Sequence, residues 1–313
     1  MNSLVVIEDN RGKVHRMSKE AIVGAQKLGG DVFALVIGEN ASSLSSDLSS
    51  LQLSQILVVE DNLVSTYNAD GYAEIVSQIV KLMNIDVIIA GHTYQTRDYM
   101  PRVSAKLDIP FISDIVGIDQ DHYIKQVLNA KLNSSISCST SSRILSFQSA
   151  CFSEDDIING TTEVKNIDVN LDSSLVRSTS EEPFQDSASE VDLESSELIV
   201  SVGRGIEKEE NISIAFDLAK VLNAEVSASR PVVDAGWMPS FRQVGSSGST
   251  VAPKLYFSLG VSGAIQHVVG MKGSKTILAI NKDRDAPIFE IADYAVIGDV
   301  LEIIPKLTEV LSE

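Results

Sequence analysis

The chain is organised around residues 255–299, which read LYFSLGVSGAIQHVVGMKGSKTILAINKDRDAPIFEIADYAVIGD. Short apolar runs at 255–259, 276–280 and 294–297 alternate with helix-like stretches, and this alternation is typical of βαβ units with a parallel sheet. Glycines and polar residues follow each run, at the sheet edge where open α/β sheets bind ligands. Ser262 is predicted to cap the next helix, whose free N–H groups would then face an anion.

The same stretch resembles the C-terminal FAD domain of electron transfer flavoprotein alpha subunits. The resemblance is carried by SGAIQH at 262–267, by AINKD and APIF within 279–289, and by ADY and GD within 292–299. It is dense over the last third of the chain, whereas the N-terminal part resembles the family only in general pattern. The resemblance implies a Rossmann-like domain that binds FAD.

Composition narrows the class of protein. The 313 residues favour about two domains. The net charge of −18 argues against nucleic acid or an anionic membrane surface as a direct partner. No apolar run reaches the roughly 18 residues that a membrane helix needs, and the N-terminus has the features of neither a signal peptide nor a transit peptide. Cys138 and Cys151 fit neither a disulfide framework nor a zinc site. A cytoplasmic, bacterial setting is expected.

The fold class predicted is α/β with two domains. Strands and helices alternate from residue 3 to about 118, which predicts a doubly wound parallel sheet of the nucleotide-hydrolase-like kind. The pattern from 123 to 152 predicts antiparallel strands that complete this domain. The polar, acidic stretch 173–196 reads as a linker, because residues 151–200 hold 13 acidic against two basic side chains. We expect domains at 1–190, with the partner contacts, and at 191–313, with the FAD.

Between the linker and the C-terminal stretch, a strand at 198–202 is expected to lead into a helix at about 207–222. A second strand at 225–228 ends before Pro231, which biases Arg230 toward an extended backbone. A long loop then runs over 232–250, and loops of this length inside a domain are often functional.

Two arginines follow the predicted strands of the second domain. The glycines of Gly203-Arg204-Gly205 allow a ligand to come close and Arg204 suits phosphate, although a tight turn with an exposed arginine explains these residues equally well. Arg230, by residue type, is more typical of a solvated surface. In the family that the chain resembles, an arginine matching Arg204 belongs to the FAD site. A second arginine, matching Arg230, lies over the isoalloxazine ring, and the serine that matches Ser229 touches the cofactor. A cation there raises the flavin potential.

The Gly/Ser-rich loop and the SGAIQH segment supply further candidates. Taken alone, the loop is a flexible turn and His267 is a structural histidine. The resemblance implies that Ser247 hydrogen-bonds the flavin N5 edge and that His267 lies near the flavin O2, where a donor or a cation stabilises negative charge. The other cofactor-binding residues that it implies are Gln243, Val244, Gly245, Ser246, Ser262, Gly263, Ala264, Ile265 and Gln266.

Two polar residues come directly after the last strands. Asn281 and Asp299 are equally well explained as a turn asparagine and a helix N-cap. The family uses the matching positions for the adenosine half of FAD, and Val300 is expected beside them.

These patterns favour an electron carrier over an enzyme. No GxGxxG motif, metal-ligand spacing, P-loop or nucleophile–base pair is evident. The resemblance implies the alpha subunit of a heterodimer with one FAD, whose beta subunit binds AMP. It also implies electron transfer from acyl-CoA and other flavin dehydrogenases to electron transfer flavoprotein-quinone oxidoreductase. A flavin- or nicotinamide-dependent oxidoreductase with its own substrate, and a non-redox nucleotide-binding or scaffold protein, remain as alternatives.

Overall fold

A computed structural model describes residues 1–128, 132–180, 191–194 and 196–312. The chain divides into two units, and each is described by itself. The first unit comprises Met1–Val127 and Leu132–Phe184, and the second comprises Leu128–Lys131 and Gln185–Glu313. Among the residues described, no helix has the length and apolar character needed to cross a bilayer.

The first unit alternates strands and helices. Its elements are β1 (Asn2–Ile7), β2 (Asp9–Asn10), β3 (Lys13–Val14), α1 (Arg16–Leu28), β4 (Asp31–Ile37), α2 (Ala41–Leu48), β5 (Gln55–Val59), α3 (Ala69–Met83), β6 (Val87–Gly91), α4 (Tyr94–Leu107), β7 (Phe111–Asp119), β8 (His122–Val127), β9 (Leu132–Ile136), β10 (Arg143–Phe147) and β11 (Val164–Asn166). The main sheet has the order β11-β5-β4-β1-β6-β10-β7-β8-β9. All of its pairings are parallel except β7 with β8 and β8 with β9.

Both faces of this sheet are covered by helices. On one face, Val5 of β1 packs in a core with Ile22 of α1. On the other face, Leu4 packs in a second core with Ile75 of α3 and Tyr99 of α4. Successive residues of a strand point to opposite faces, so the unbroken apolar run of β1 serves both cores. The predicted doubly wound parallel architecture of the first domain is confirmed.

The prediction of antiparallel strands over 123–152 is wrong for β10. β8 and β9 are antiparallel, but β10 lies between β6 and β7 and is parallel to both. Residues 144–147 are buried, and Ser146 is completely so. A strand buried on both faces is typical of the interior of a parallel sheet, so the run Ile144-Leu145 favoured the central place that β10 takes.

The second unit is a smaller sheet of the same kind. Its elements are β12 (Leu198–Val202), α5 (Ser213–Leu222), β13 (Glu225–Ala228), α6 (Arg230–Asp234), β14 (Leu255–Leu259), α7 (Ile265–Val268), β15 (Ile277–Asn281), β16 (Tyr294–Ile297) and α8 (Val300–Ser312). The five strands pair in parallel in the order β13-β12-β14-β15-β16. Leu218 of α5 and Ile304 of α8 pack on one face, and Val244, Val251 and Met271 cover the other.

Local expectations in this unit need correction. The helix predicted at 207–222 is shorter, because the backbone of Glu207 is left-handed (φ 72°) and α5 begins only at Ser213. Arg230 is helical rather than extended, because Pro231 stands in the first turn of α6, where a missing N–H costs nothing. The predicted linker at 173–196 lies partly outside the described residues.

Candidate functional site

A cavity of about 440 Å³ opens at the carboxyl edge of the second sheet. This volume is within the range of small-molecule and cofactor sites. The cavity is lined by Arg204, Gly205, Ser229, Arg230, Pro231, Asp234, Val244, Gly245, Ser247, Gly260, Val261, Ser262, Ala264, Gln266, His267, Asn281, Asp283, Ala286 and Pro287. Many of these residues directly follow β12, β13, β14 and β15, so the parallel sheet brings them to one place.

Two glycines let the ends of β12 and β14 approach each other. The Gly203 N–H donates to the Leu259 carbonyl at 2.8 Å. A Cβ atom at Gly203 would lie 2.3 Å from the Gly260 carbonyl oxygen, and Gly260 has a left-handed φ of 64°. Only glycine fits such a close approach of the two backbones. Arg204, the next residue along the chain, therefore lies at the cavity wall.

The two predicted arginines both line the cavity. Arg204 is exposed. Arg230 is also exposed, and its Nε lies 3.4 Å from Asp234 Oδ2, four residues along the chain. An exposed pair of this kind contributes little to stability, so the Arg230 guanidinium can exchange Asp234 for an anionic ligand at low cost.

The loop before β14 is tied to the sheet and to the SGAIQH segment. The Val244 N–H donates to Ala228 at the end of β13, and the Ser246 N–H donates to the Gln266 carbonyl at 2.8 Å. Gln243 is buried, and its Nε2 donates to Ser247 Oγ at 3.0 Å. Ser247 lines the cavity whereas Gln243 and Ser246 do not, so Gln243 acts by positioning the Ser247 hydroxyl.

The predicted capping role of Ser262 is wrong. The short helix α7 begins at Ile265 with Ala264 as its N-cap residue. Gly263 turns the chain with a φ of 84°, and Ser262 instead accepts a hydrogen bond at its carbonyl from the Ile288 N–H at 3.1 Å. A left-handed residue cannot continue into a helix, so this turn separates Ser262 from α7. Ser262 still lines the cavity.

His267 lies on α7 and is buried, with 6% of its surface exposed. Its Nε2 lies 2.9 Å from the Tyr256 hydroxyl. Burial lowers the pKa of His267 to about 4, against a smaller opposing effect of the Val244 backbone. The imidazole is therefore neutral at pH 7, so in this structure His267 is a potential hydrogen-bond donor rather than a cation.

The residues after the last two strands differ in position. Asn281 lines the cavity, and its side chain is fixed by donation to the Val261 carbonyl at 2.9 Å and by acceptance from the Asp283 N–H at 3.0 Å. Asp299 does not line it. One carboxylate oxygen of Asp299 accepts from the Leu301 N–H at 2.8 Å, which caps α8, and the other lies 3.0 Å from Lys282 Nζ.

The cavity thus brings together most of the predicted residues and omits others. Those that do not line it are Gln243, Ser246, Gly263, Ile265, Asp299 and Val300, of which Val300 is buried in the α8 core. Gly205, which the sequence analysis named with Arg204, also lines the cavity, and the lining residues that it missed are Pro231, Asp234, Gly260, Val261, Asp283, Ala286 and Pro287. Pro231 and Val261 immediately adjoin predicted residues, whereas only tertiary packing brings the 283–287 turn to the wall.

The arrangement suits a large, polar and partly anionic ligand. Two exposed guanidinium groups offer forked hydrogen bonds to phosphate or carboxylate oxygens. The same wall also carries neutral hydrogen-bond donors and acceptors, which belong to Ser229, Ser247, Ser262, Gln266 and Asn281.

Two family models match the chain. Residues 3–172 match the electron transfer flavoprotein domain, which covers more than half of the chain. Residues 192–272 match the electron transfer flavoprotein FAD-binding domain. The second match contains the ends of β12, β13 and β14 and therefore most of the cavity wall.

The chain is also similar over nearly its full length to curated alpha subunits of electron transfer flavoprotein. The protein of Thermoanaerobacterium thermosaccharolyticum is 37% identical, over 97% of this chain and 96% of the relative. That of Bacillus subtilis is 35% identical, over 98% and 96%. That of Pseudomonas aeruginosa is 32% identical, over 98% and 99%. The chain therefore belongs to the family of electron transfer flavoprotein alpha subunits.

Proposed function

We propose that this chain is the FAD-carrying subunit of a heterodimeric electron transfer flavoprotein. It takes single electrons from flavin dehydrogenases, such as acyl-CoA dehydrogenases, and delivers them to a quinone oxidoreductase or a similar acceptor. The observation that carries this proposal is the position of the cavity. It opens at the carboxyl edge of a parallel sheet, within the part of the chain that matches the FAD-binding domain.

The residues present fit FAD. The cavity wall has two guanidinium groups for a ligand with two phosphates, and Ser229, Ser247 and Asn281 add neutral polar groups beside them. In this proposal Arg204 binds on the phosphate side, Arg230 and Ser229 hold the isoalloxazine ring, and Ser247 faces its N5 edge. The residues proposed for the adenosine half are Asn281, Asp299 and Val300.

The remaining proposed cofactor contacts come from two segments that hydrogen-bond each other. They are Gln243, Val244, Gly245 and Ser246 in the loop, and Ser262, Gly263, Ala264, Ile265, Gln266 and His267 around α7. Ser246 and Gln266 join the segments through their backbones. In this proposal the residues that do not line the cavity act indirectly. They hold in place the backbone of the neighbouring residues that line it.

Bound FAD supplies reversible one-electron chemistry, and the side chains of this chain tune it. Arg230 places a positive charge where electron density increases, which raises the potential at which FAD accepts electrons. The neutral His267 adds a donor without adding a second charge. The exposure of Arg204 and Arg230 at the cavity suits transfer to a docked protein partner.

The partner subunit is the beta subunit, and one FAD is expected for each heterodimer, with AMP in the beta subunit. In this proposal residues 191–313 bind FAD, and residues 1–190 provide contacts to the beta subunit. The net charge of −18 favours redox partners with basic docking patches, since complementary charge speeds the encounter of transient partners.

A reconstituted electron-transfer assay tests this function. The chain is co-purified with its natural partner subunit and mixed with an acyl-CoA dehydrogenase, its acyl-CoA substrate and a quinone oxidoreductase or dye acceptor. We expect the acceptor to be reduced only when the complex is present. Turnover of a small-molecule substrate by the complex alone, without any partner protein, would instead identify an enzyme with its own substrate.

A further inference from the structure

A lysine beside the cavity joins loops at the carboxyl edge of the second sheet. Lys282 directly follows β15, and its Nζ lies 2.6 Å from Glu207 Oε1 and 3.0 Å from Asp299 Oδ2. Glu207 ends the short turn that begins at Arg204 after β12, and Asp299 stands between β16 and α8. Lys282 itself does not line the cavity. One ammonium group therefore connects the chain segments that follow β12, β15 and β16.

The backbone of Glu207 is strained. Its φ of 72° and ψ of −44° place it at the centre of a γ-turn, which the Lys208 N–H closes by donating to the Ile206 carbonyl at 2.9 Å. This form of γ-turn is rare, and glycine adopts a positive φ at lower cost. The side chains of Glu207 and Lys282 are about half exposed, and an exposed ion pair contributes little to stability. Stability alone therefore does not explain a glutamate at this position.

The two carboxylates share one counter-ion. Both approach the same ammonium group, so without it they would face each other as like charges beside the cavity. The Leu301 N–H and, after it, the Lys282 ammonium lower the pKa of Asp299, so this carboxylate is ionised at neutral pH. Glu207 and, after it, Asp299 raise the pKa of Lys282, which therefore keeps its proton. Both ion pairs are formed at neutral pH.

Asp299 stays accessible in this arrangement, since 26% of its side chain is exposed. The Leu301 N–H donates to Oδ1 at 2.8 Å, and Lys282 contacts Oδ2. A carboxylate has about four acceptor positions, so acceptor capacity for a ligand remains on both oxygens. Because the Leu301 N–H fixes only one oxygen, the contact with Lys282 fixes the second and with it the plane of the carboxylate.

We propose that Lys282 is a positioning residue, which orients the Asp299 carboxylate and anchors the turn 204–207 for the cofactor. The proposal rests on the proposed FAD site, in which Asp299 belongs to the adenosine half and Arg204 binds on the phosphate side. Loss of the ammonium group leaves the Asp299 carboxylate free to rotate and releases the end of the turn that carries Arg204.

Titration of the flavin-free complex with FAD tests this role. Lys282→Met removes the charge from a side chain of similar length, so FAD binding should weaken by about tenfold, while the midpoint of urea unfolding changes little. Lys282→Arg keeps the positive charge and should retain most of the affinity. Lys254→Met removes an ammonium group that lies 2.8 Å from Glu197 Oε1 in another exposed pair of the same unit, and it should change neither readout.

A double-mutant cycle shows whether Lys282 acts through Asp299. Lys282→Met should weaken FAD binding less in an Asp299→Asn background than in the wild type, because the carboxylate that Lys282 orients is gone. Glu207→Gly should also weaken FAD binding, but without lowering the unfolding midpoint, since glycine relieves the strained turn.

The proposal is overturned if Lys282→Met binds FAD as tightly as the wild type, or if its effect on FAD binding is the same with and without the Asp299 carboxylate. A wild-type complex that binds no FAD would instead contradict the proposed function, and this role of Lys282 with it.

Discussion

Burial sets the protonation state of His267 and Glu20. His267 is neutral at pH 7 because burial lowers its pKa to about 4. Glu20 of α1 is also buried, and burial raises its pKa to about 7, even though Arg16 Nε lies 3.1 Å from its carboxylate and the Ala150 N–H donates to it at 2.7 Å. Neither environment could be read from the sequence, because long-range packing creates both.

Glu20 makes the stability of the first unit depend on pH. Its pKa is higher in the folded state than in the unfolded chain, so the folded state binds the proton more tightly. The stabilisation is fully present below about pH 4.5 and is lost as pH rises through about 7. Glu20→Gln should remove this loss. Between pH 5 and pH 8 the free energy of unfolding of the wild type should therefore decrease, relative to that of the variant, by on the order of 2 kcal/mol. Urea unfolding of the first unit at both pH values measures the difference.

Glu163→Gln serves as the control, since it neutralises an exposed carboxylate of the same unit. It should leave the pH dependence as in wild type. If the Glu20→Gln protein shows the same decline in stability between pH 5 and pH 8 as wild type, the carboxyl of Glu20 does not titrate in this range.

The secondary-structure elements were largely predictable because most strands of both sheets are short apolar runs with a polar or glycine residue after them, whereas β8, β9 and β11 are largely polar. The order of strands was less predictable. β10 enters the middle of the first sheet although the chain reaches it from an antiparallel hairpin. Nothing local to Arg143–Phe147 specifies its neighbours, since pairing is decided by the free edges that β6 and β7 present.

The turn at Gly263 shows what the SGAIQH segment requires of the backbone. Gly263 has a φ of 84°, and an added Cβ would lie 2.1 Å from the Ile288 nitrogen. Gly236 has a similar φ of 76°, but open space surrounds the position of its Cβ. We expect Gly236→Ala to destabilise the second unit by about 1 kcal/mol, through backbone strain alone, and Gly263→Ala by clearly more, because the 286–288 backbone must also move.

Chemical denaturation of the two variants compares these costs directly. Gly263→Ala should also weaken flavin retention, since Ser262, Ala264 and Pro287 all line the cavity. Equal losses of stability in the two variants would mean that the contact between Gly263 and Ile288 adds nothing to the cost of a side chain.

At the scale of the whole molecule, the sequence predicted the candidate site well where a family signature exists. Arg204, Ser229, Arg230 and His267 were placed at one cavity from their motifs, and the structure brings them together. The resemblance could not predict the contacts that buried residues behind the cavity wall make with the residues that line it. Tyr256 reads as an ordinary strand residue, and its contact with His267 becomes visible only when β14 and α7 are packed together.

The central claim is that the cavity of the second unit binds FAD, and the flavin content of the purified complex tests it most directly. Ala264 lines the cavity, so Ala264→Trp should block it, whereas Val310→Trp adds the same side chain on the exposed face of α8. The absorbance ratio of flavin to protein should indicate one FAD for each chain in the wild type and in Val310→Trp, and little or none in Ala264→Trp. A colourless wild-type complex, or full flavin content in Ala264→Trp, would contradict the claim.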